Sequence, residues 1–150
     1  MTFKTPVSVL VVIHTSAQQV LLLERTSHPG FWQSVTGSLE DGEQPLHAAV
    51  REVAEETGIA CCAAELRDWR LSNRFEIFPQ WRARYAAGVT HNVEHVFSLC
   101  VPEQPITLAP DEHLDWRWLP WRQAAAICFS WTNRDAILML GLAPGLPARP

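Results

Sequence analysis

Cysteine is scarce in this 150-residue sequence, and its four copies form no CxxC pair. The adjacent Cys61 and Cys62 make a poor zinc clamp, so the cysteines are expected to be reduced, buried and small. Long apolar runs are also missing. The stretch from Val7 to Ile13 has strand length and falls far short of the ~18 residues of a membrane span. The N-terminus carries one basic residue and no long apolar segment before a cleavage site, so no signal peptide is expected and the cytoplasm is the expected location. There is no excess of basic residues: net charge is −4, and Lys4 is the only lysine. A broad phosphate-backbone footprint, and with it a nucleic-acid partner, is therefore not expected, although a few cations or a metal suffice for a small anion. What is present is ordinary globular composition, 47% apolar and 19% charged, in a length that forms one domain with a real core.

Residues 8–13 are β-branched and continuous, the pattern of a central strand, and residues 19–25 supply the next one. The segment 31–36 looks extended and runs into Gly37. Pro45 suits the first turn of a helix, and Gly58 supplies its stop. Between them Leu46, Ala49, Val50, Val53 and Thr57 form one apolar stripe, so a helix is expected over about 45–57. Strands are expected at about 63–72, 92–101 and 115–119, followed by helices at about 121–128 and 132–141. The proline-rich tail at about 143–150 is expected to be flexible. The pattern predicts an α/β (α+β) fold, a mixed β-sheet sandwiched by helices.

Chemistry concentrates on the first helix. Glu52, Glu55 and Glu56 span an arc of about 100° beside the apolar stripe. Like charges so close repel, and at a half-buried edge each also loses hydration. Something positive must therefore sit there. Arg51 projects toward Glu43, and an ion pair between them would tie the preceding loop to the helix. The three glutamates are then free for a cation, and oxygen-only ligands suit Mg²⁺ or Mn²⁺ better than zinc.

Such a helix face alone is more often simply solvated. The complete pattern is more specific: Gly37, then Glu43, then Arg51-Glu52-Val53-x-Glu55-Glu56-x-Gly58-Ile59, nine specified positions across 23 residues. By this stretch the sequence is identified as a member of the Nudix hydrolases. The resemblance implies an α/β/α sandwich and hydrolysis of a nucleoside diphosphate linked to another moiety. It implies metal binding by the helix glutamates, with Glu43 and Arg51 in support.

Outside this box, four segments resemble one branch of the family, the bacterial dihydroneopterin triphosphate diphosphatases of folate biosynthesis. They are Lys4-x-Pro6-Val7-Ser8, Phe31 to Thr36, Phe75 to Phe78 with Arg82 to Thr90, and Ser130-Trp131-x-Asn133-Arg134. With Glu112-His113-Leu114 the resemblance spans about residues 4–140. It implies Glu52, Glu56 and Glu112 as metal ligands, and Lys4, Arg25, Thr36, Phe75, Glu76, Ile77, Phe78 and Ser130 as substrate contacts. Cations beside a triphosphate give charge-assisted hydrogen bonds, and Phe75 and Phe78 offer a flat ring something to pack against. Taken singly, Ser130 would read as a helix N-cap, Arg25 as a surface charge, the two phenylalanines as packing and Glu112 as a solvated loop carboxylate. The expected partner is a small-molecule triphosphate, acted on by a monomer with no membrane contact. Two alternatives stand beside this reading: a pyrophosphohydrolase of (d)NTPs such as dATP, and a catalytically silent nucleotide-binding module.

Two other patterns are discounted. His91-x-x-Glu94-His95 resembles an inverted zinc-protease motif, but the stretch reads as a strand, in which residues four apart lie about 13 Å apart. Trp116, Trp118 and Trp121 lack the basic groove of a nucleic-acid stacking platform and read as packing.

Overall fold

The structure, a computed structural model, describes residues 2–142; the expected flexible tail at about 143–150 lies outside the described residues. Alternation along the first strand sets the architecture. In β1 (Val7–His14), Val9, Val11 and Ile13 turn to one face and Leu10 and Val12 to the other. The same division holds in β2 (Gln19–Arg25), where Leu21 and Leu23 oppose Val20 and Leu22. Both faces are apolar, so both must be covered. Helix α1 (Pro45–Thr57) covers the first with Ala48, Ala49 and Val53. Helices α2 (Trp121–Ile127) and α3 (Trp131–Leu142) cover the second with Ala124, Ala125, Ala136, Ile137 and Leu140. The result is the expected α/β/α sandwich.

The sheet is mixed and splits. β1 runs parallel to β6 (His91–Cys100), which pairs antiparallel with β5 (Arg67–Glu76). β1 meets β2 only at His14 and Val20. Beyond that point β1 takes β4 (Val35–Ser38), while β2 takes β3 (Trp32–Gln33) and β7 (His113–Pro120). This parting of the two central strands opens the space in which the candidate site lies.

Several local expectations need correction. Residues 63–65 form a 3-10 turn, not strand, because the Glu65 carboxylate accepts the Cys62 N–H at 2.9 Å; β5 then runs on to Glu76. The extended segment breaks at Ser34, whose N–H is taken by Asn133 Oδ1 at 2.8 Å. The four cysteines are free, as expected, but none is fully buried, and Cys62 and Cys100 are exposed. In β6, strand alternation turns His91 and His95 away from the face that carries Glu94, so the zinc-like pattern gathers no ligands. Trp116 and Trp118 pack on the α1 side and Trp121 on the other. No helix among the described residues is long and apolar enough to cross a membrane.

Candidate active site

Helix α1 has the predicted bounds. Pro45 lies in its first turn, and Gly58 closes it at φ 76°, donating its N–H to the Ala54 carbonyl. The face turned to the sheet carries two of the three glutamates more deeply than the apolar stripe alone implied. Glu52 is 8% exposed and Glu56 only 1%, whereas Glu55 points to solvent. The reason for Gly37 is steric. A Cβ there would sit 2.0 Å from the Glu52 Cδ, so only glycine lets that carboxylate lie against β4.

Arg51 makes the predicted pair with Glu43 through two contacts of 2.8 Å and also donates to the Ser38 carbonyl at 3.1 Å. It does not leave the other glutamates free, as the helical wheel implied. Its Nη1 reaches Glu52 at 2.8 Å and Glu55 at 3.2 Å. A long guanidinium side chain folds back along the helix, which a wheel projection cannot express. The pair with Arg51 holds the Glu43 carboxyl below the ordinary range.

Glu52 and Glu56 stand one helical turn apart and act on each other's charge. Burial foremost pushes both carboxyls up, Glu56 well above the ordinary value, with Glu52 and Glu112 adding to the shift. Glu56 Oε1 has no hydrogen-bond partner among the described residues. Ligand atoms of Glu56, Glu112 and His113 lie within 4.8 Å of one another. Glu112 is exposed, in the turn before β7, and its carbonyl accepts the Thr26 N–H at 2.9 Å. His113 Nε2 stands 3.7 Å from Glu56 Oε1. This is no ion pair, since burial and Arg25 push the imidazole down to about 4 and leave it neutral. An orphaned buried carboxylate oxygen, a second carboxylate and a neutral imidazole fit a divalent cation. Glu52 stands outside that group, with its Oε1 held by Arg51.

A cavity of about 780 Å³ opens beside these residues, of a size suited to a small molecule. Thr36, Gly37 and Ser38 line it from the β1 side of the split, and Arg25, Gln33, Glu112 and His113 from the β2 side. Lys4, Arg25 and Arg84 bring three cations to its wall. Lys4 is pushed down to about 8, chiefly by burial and then by the two arginines. Arg25 is braced by Gln33 at 3.2 Å and stacks over the Trp81 ring at 4.7 Å.

The other end of the cavity is aromatic and polar. Phe75, Glu76, Ile77, Phe78 and Ser130 line it, as do Trp81 and Phe129. Phe78 and Trp81 meet edge to face at 5.1 Å, and Trp81 meets Phe129 at 6.0 Å. Ser130 keeps its capping role as well: its Oγ accepts the Asn133 side-chain N–H at 2.7 Å and lies 3.4 Å from that residue's backbone N–H. Every substrate-contact residue expected from the sequence therefore reaches one cavity. Glu43, Arg51 and Glu55 lie outside it. Glu56 is too buried to line the wall and borders it through His113.

Sequence reasoning missed His113, Arg84, Trp81, Phe129, Asn92 and Glu94 as members of this site. For His113 and Arg84 a signal existed, because each stands in a segment that carries the family resemblance. Trp81 and Phe129 meet only through tertiary packing.

A family model of the NUDIX domain matches residues 4–140. The chain belongs to the Nudix family. It is 48% identical over 139 residues to the dihydroneopterin triphosphate diphosphatase of Escherichia coli K12, covering 90% of this chain and 91% of that protein. To the enzyme of the same name from Haemophilus influenzae it is 42% identical over 140 residues, covering 91% and 88%. The solved structure of the E. coli dihydroneopterin triphosphate pyrophosphohydrolase superposes with a TM-score of 0.88 at 46% identity, covering 95% of this chain and 99% of that one.

Proposed function

We propose that this protein is a divalent-metal-dependent pyrophosphohydrolase that cleaves dihydroneopterin triphosphate into dihydroneopterin monophosphate and pyrophosphate, a step of folate biosynthesis. The observation that carries the reading is a single cavity joining an acidic and cationic end to an aromatic and polar one. The names of relatives similar over nearly the whole chain support it. Glu52, Glu56 and Glu112 would hold Mg²⁺, which Mn²⁺ could replace, with His113 beside them. When bound, the cation would neutralise charge on the phosphate oxygens and lower the pKa of the attacking water.

The chain's own residues do the rest. Lys4, Arg25 and Arg84 bind and orient the triphosphate by charge-assisted hydrogen bonds. Thr36 contacts it from β4. The Glu43–Arg51 pair fixes the loop and helix that carry the carboxylates, and Glu55 stands at their solvent edge. Phe75 to Phe78, Trp81 and Phe129 pack on the flat pterin, and Ser130 contacts its edge. Water adds at phosphorus, the α–β anhydride bond breaks, and the protons pass to solvent. We read the chain as a cytoplasmic monomer whose partner is this small molecule, with no nucleic-acid or membrane partner.

Phosphorus NMR of the products tests the reading. Pyrophosphate and monophosphate should form with Mg²⁺ and cease with EDTA. Glu112→Gln should lower kcat by about 10²-fold, as for loss of a group stabilising transition-state charge. Being exposed, it should leave the Tm of the metal-free protein within about 2 °C. Stepwise release of single phosphates, or turnover in EDTA, contradicts the proposal.

A further inference from the structure

The cavity lining includes a polar patch on β6 to which the proposed reaction assigns no role. Asn92 and Glu94 are two residues apart on β6 and share the face toward α3. They are 3% and 4% exposed, and both line the cavity. Asn92 donates its side-chain N–H to Ser8 Oγ at 2.7 Å, and the Thr132 side chain favours the Glu94 carboxylate. Asn92 Oδ1 and Glu94 Oε1 remain without partners among the described residues. Phe75 pairs with Asn92 across the β5–β6 ladder on the same face. Two buried acceptors with nothing to accept are expensive unless a ligand satisfies them.

The ligand must therefore present adjacent N–H donors on a flat ring. A 2-amino-4-oxo ring does so through its ring N–H and its exocyclic amino group. The adenine and cytosine edges place a ring acceptor beside the amino group, and would set lone pair against lone pair. We propose that Glu94, seconded by Asn92, is the specificity-determining subsite for the 2-amino-4-oxo edge, accepting hydrogen bonds from the ring N–H and the 2-amino group while Phe75 flanks the ring. The inference deepens the substrate reading above and rests on it. Burial pushes the Glu94 carboxyl up to about 7, and two donors from the ring offset that burial by favouring the carboxylate.

The test compares wild type with Glu94→Gln, which keeps volume but turns a donor toward the ring donors. Steady-state kinetics on dihydroneopterin triphosphate, GTP and dATP are measured alongside binding of unphosphorylated dihydroneopterin and its 2-desamino analogue, followed by tryptophan fluorescence. The ratio of kcat/KM for the pterin triphosphate to that for dATP should fall about tenfold or more in Glu94→Gln, the scale of rejection when a matched hydrogen bond is lost. Removing the 2-amino group from the ligand should weaken binding to wild type by about tenfold and binding to the variant by much less. The ligand-side comparison on wild type alone decides the matter if the variant fails to fold. A wild type that prefers the pterin triphosphate, with a ratio unchanged in Glu94→Gln or indifference to the 2-amino group, overturns the subsite. A Glu94-dependent preference for GTP upholds the subsite and overturns the pterin substrate. A wild type that prefers dATP overturns both.

Discussion

Lys4 joins a proposed role in phosphate binding to a pH signature. Its ammonium shares the cavity wall with Arg25 and Arg84, half-buried, and is pushed from 10.5 down to about 8 by burial and those two cations. The sign follows directly. Below pH 8 the free protein presents three positive groups to the triphosphate, and above it Lys4 loses its proton while the arginines keep theirs. The pH dependence of kcat/KM reports groups of the free enzyme. It should therefore fall above about pH 8 in wild type, and Lys4→Arg, whose guanidinium stays charged, should move that fall to higher pH. An identical decline in both proteins would remove Lys4 from the phosphate site.

Between elements, the decisive contact is α1 on β4. Gly37 leaves a gap that the Glu52 carboxylate fills, and Arg51 grips Glu43, Ser38, Glu52 and Glu55 from the same helix. In Gly37→Ala the added Cβ displaces Glu52, whose far end is pinned by Arg51. Misplacement by about 1 Å can lower turnover up to 10²-fold, so kcat should fall at least about tenfold while the Tm changes by only a few degrees. Full activity would mean that the position of Glu52 does not matter. This contact also marks how far the sequence could be read. Helix α1, its Pro45 start, its Gly58 stop and the Glu43–Arg51 pair were legible because each depends on spacing within one short stretch. Arg51 reaching Glu52 depends on a side-chain conformation, which spacing does not determine. The cysteines were misjudged because burial depends on where turns fall, and the Glu65–Cys62 hydrogen bond made a turn where a strand was expected.

At the scale of the whole molecule, the layers of the fold were legible from the two-faced apolar strands, but the parting of β1 from β2 was not. That split brings Thr36 and Glu112, far apart in sequence, onto one cavity, whose lining also includes Asn92 and Glu94. His113 joins Glu56 and Glu112 for the same reason, because β7 pairs with β2. The cavity's two ends divide the work. On the proposed reading the carboxylates and cations would treat every triphosphate alike and the ring end would discriminate, since a hydrogen-bonding site can reject a mismatched analogue far more strongly than a purely apolar one. Truncating the flanking ring in Phe75→Ala should accordingly lower kcat/KM for the pterin substrate by about tenfold, a loss of ~1–1.5 kcal/mol, and affect dATP less. The central claim is tested most directly by kcat/KM of the wild-type protein with Mg²⁺ on dihydroneopterin triphosphate against each (d)NTP in parallel. The account predicts the pterin triphosphate to exceed dATP by at least about tenfold; equal values, or a clear preference for dATP, would contradict it.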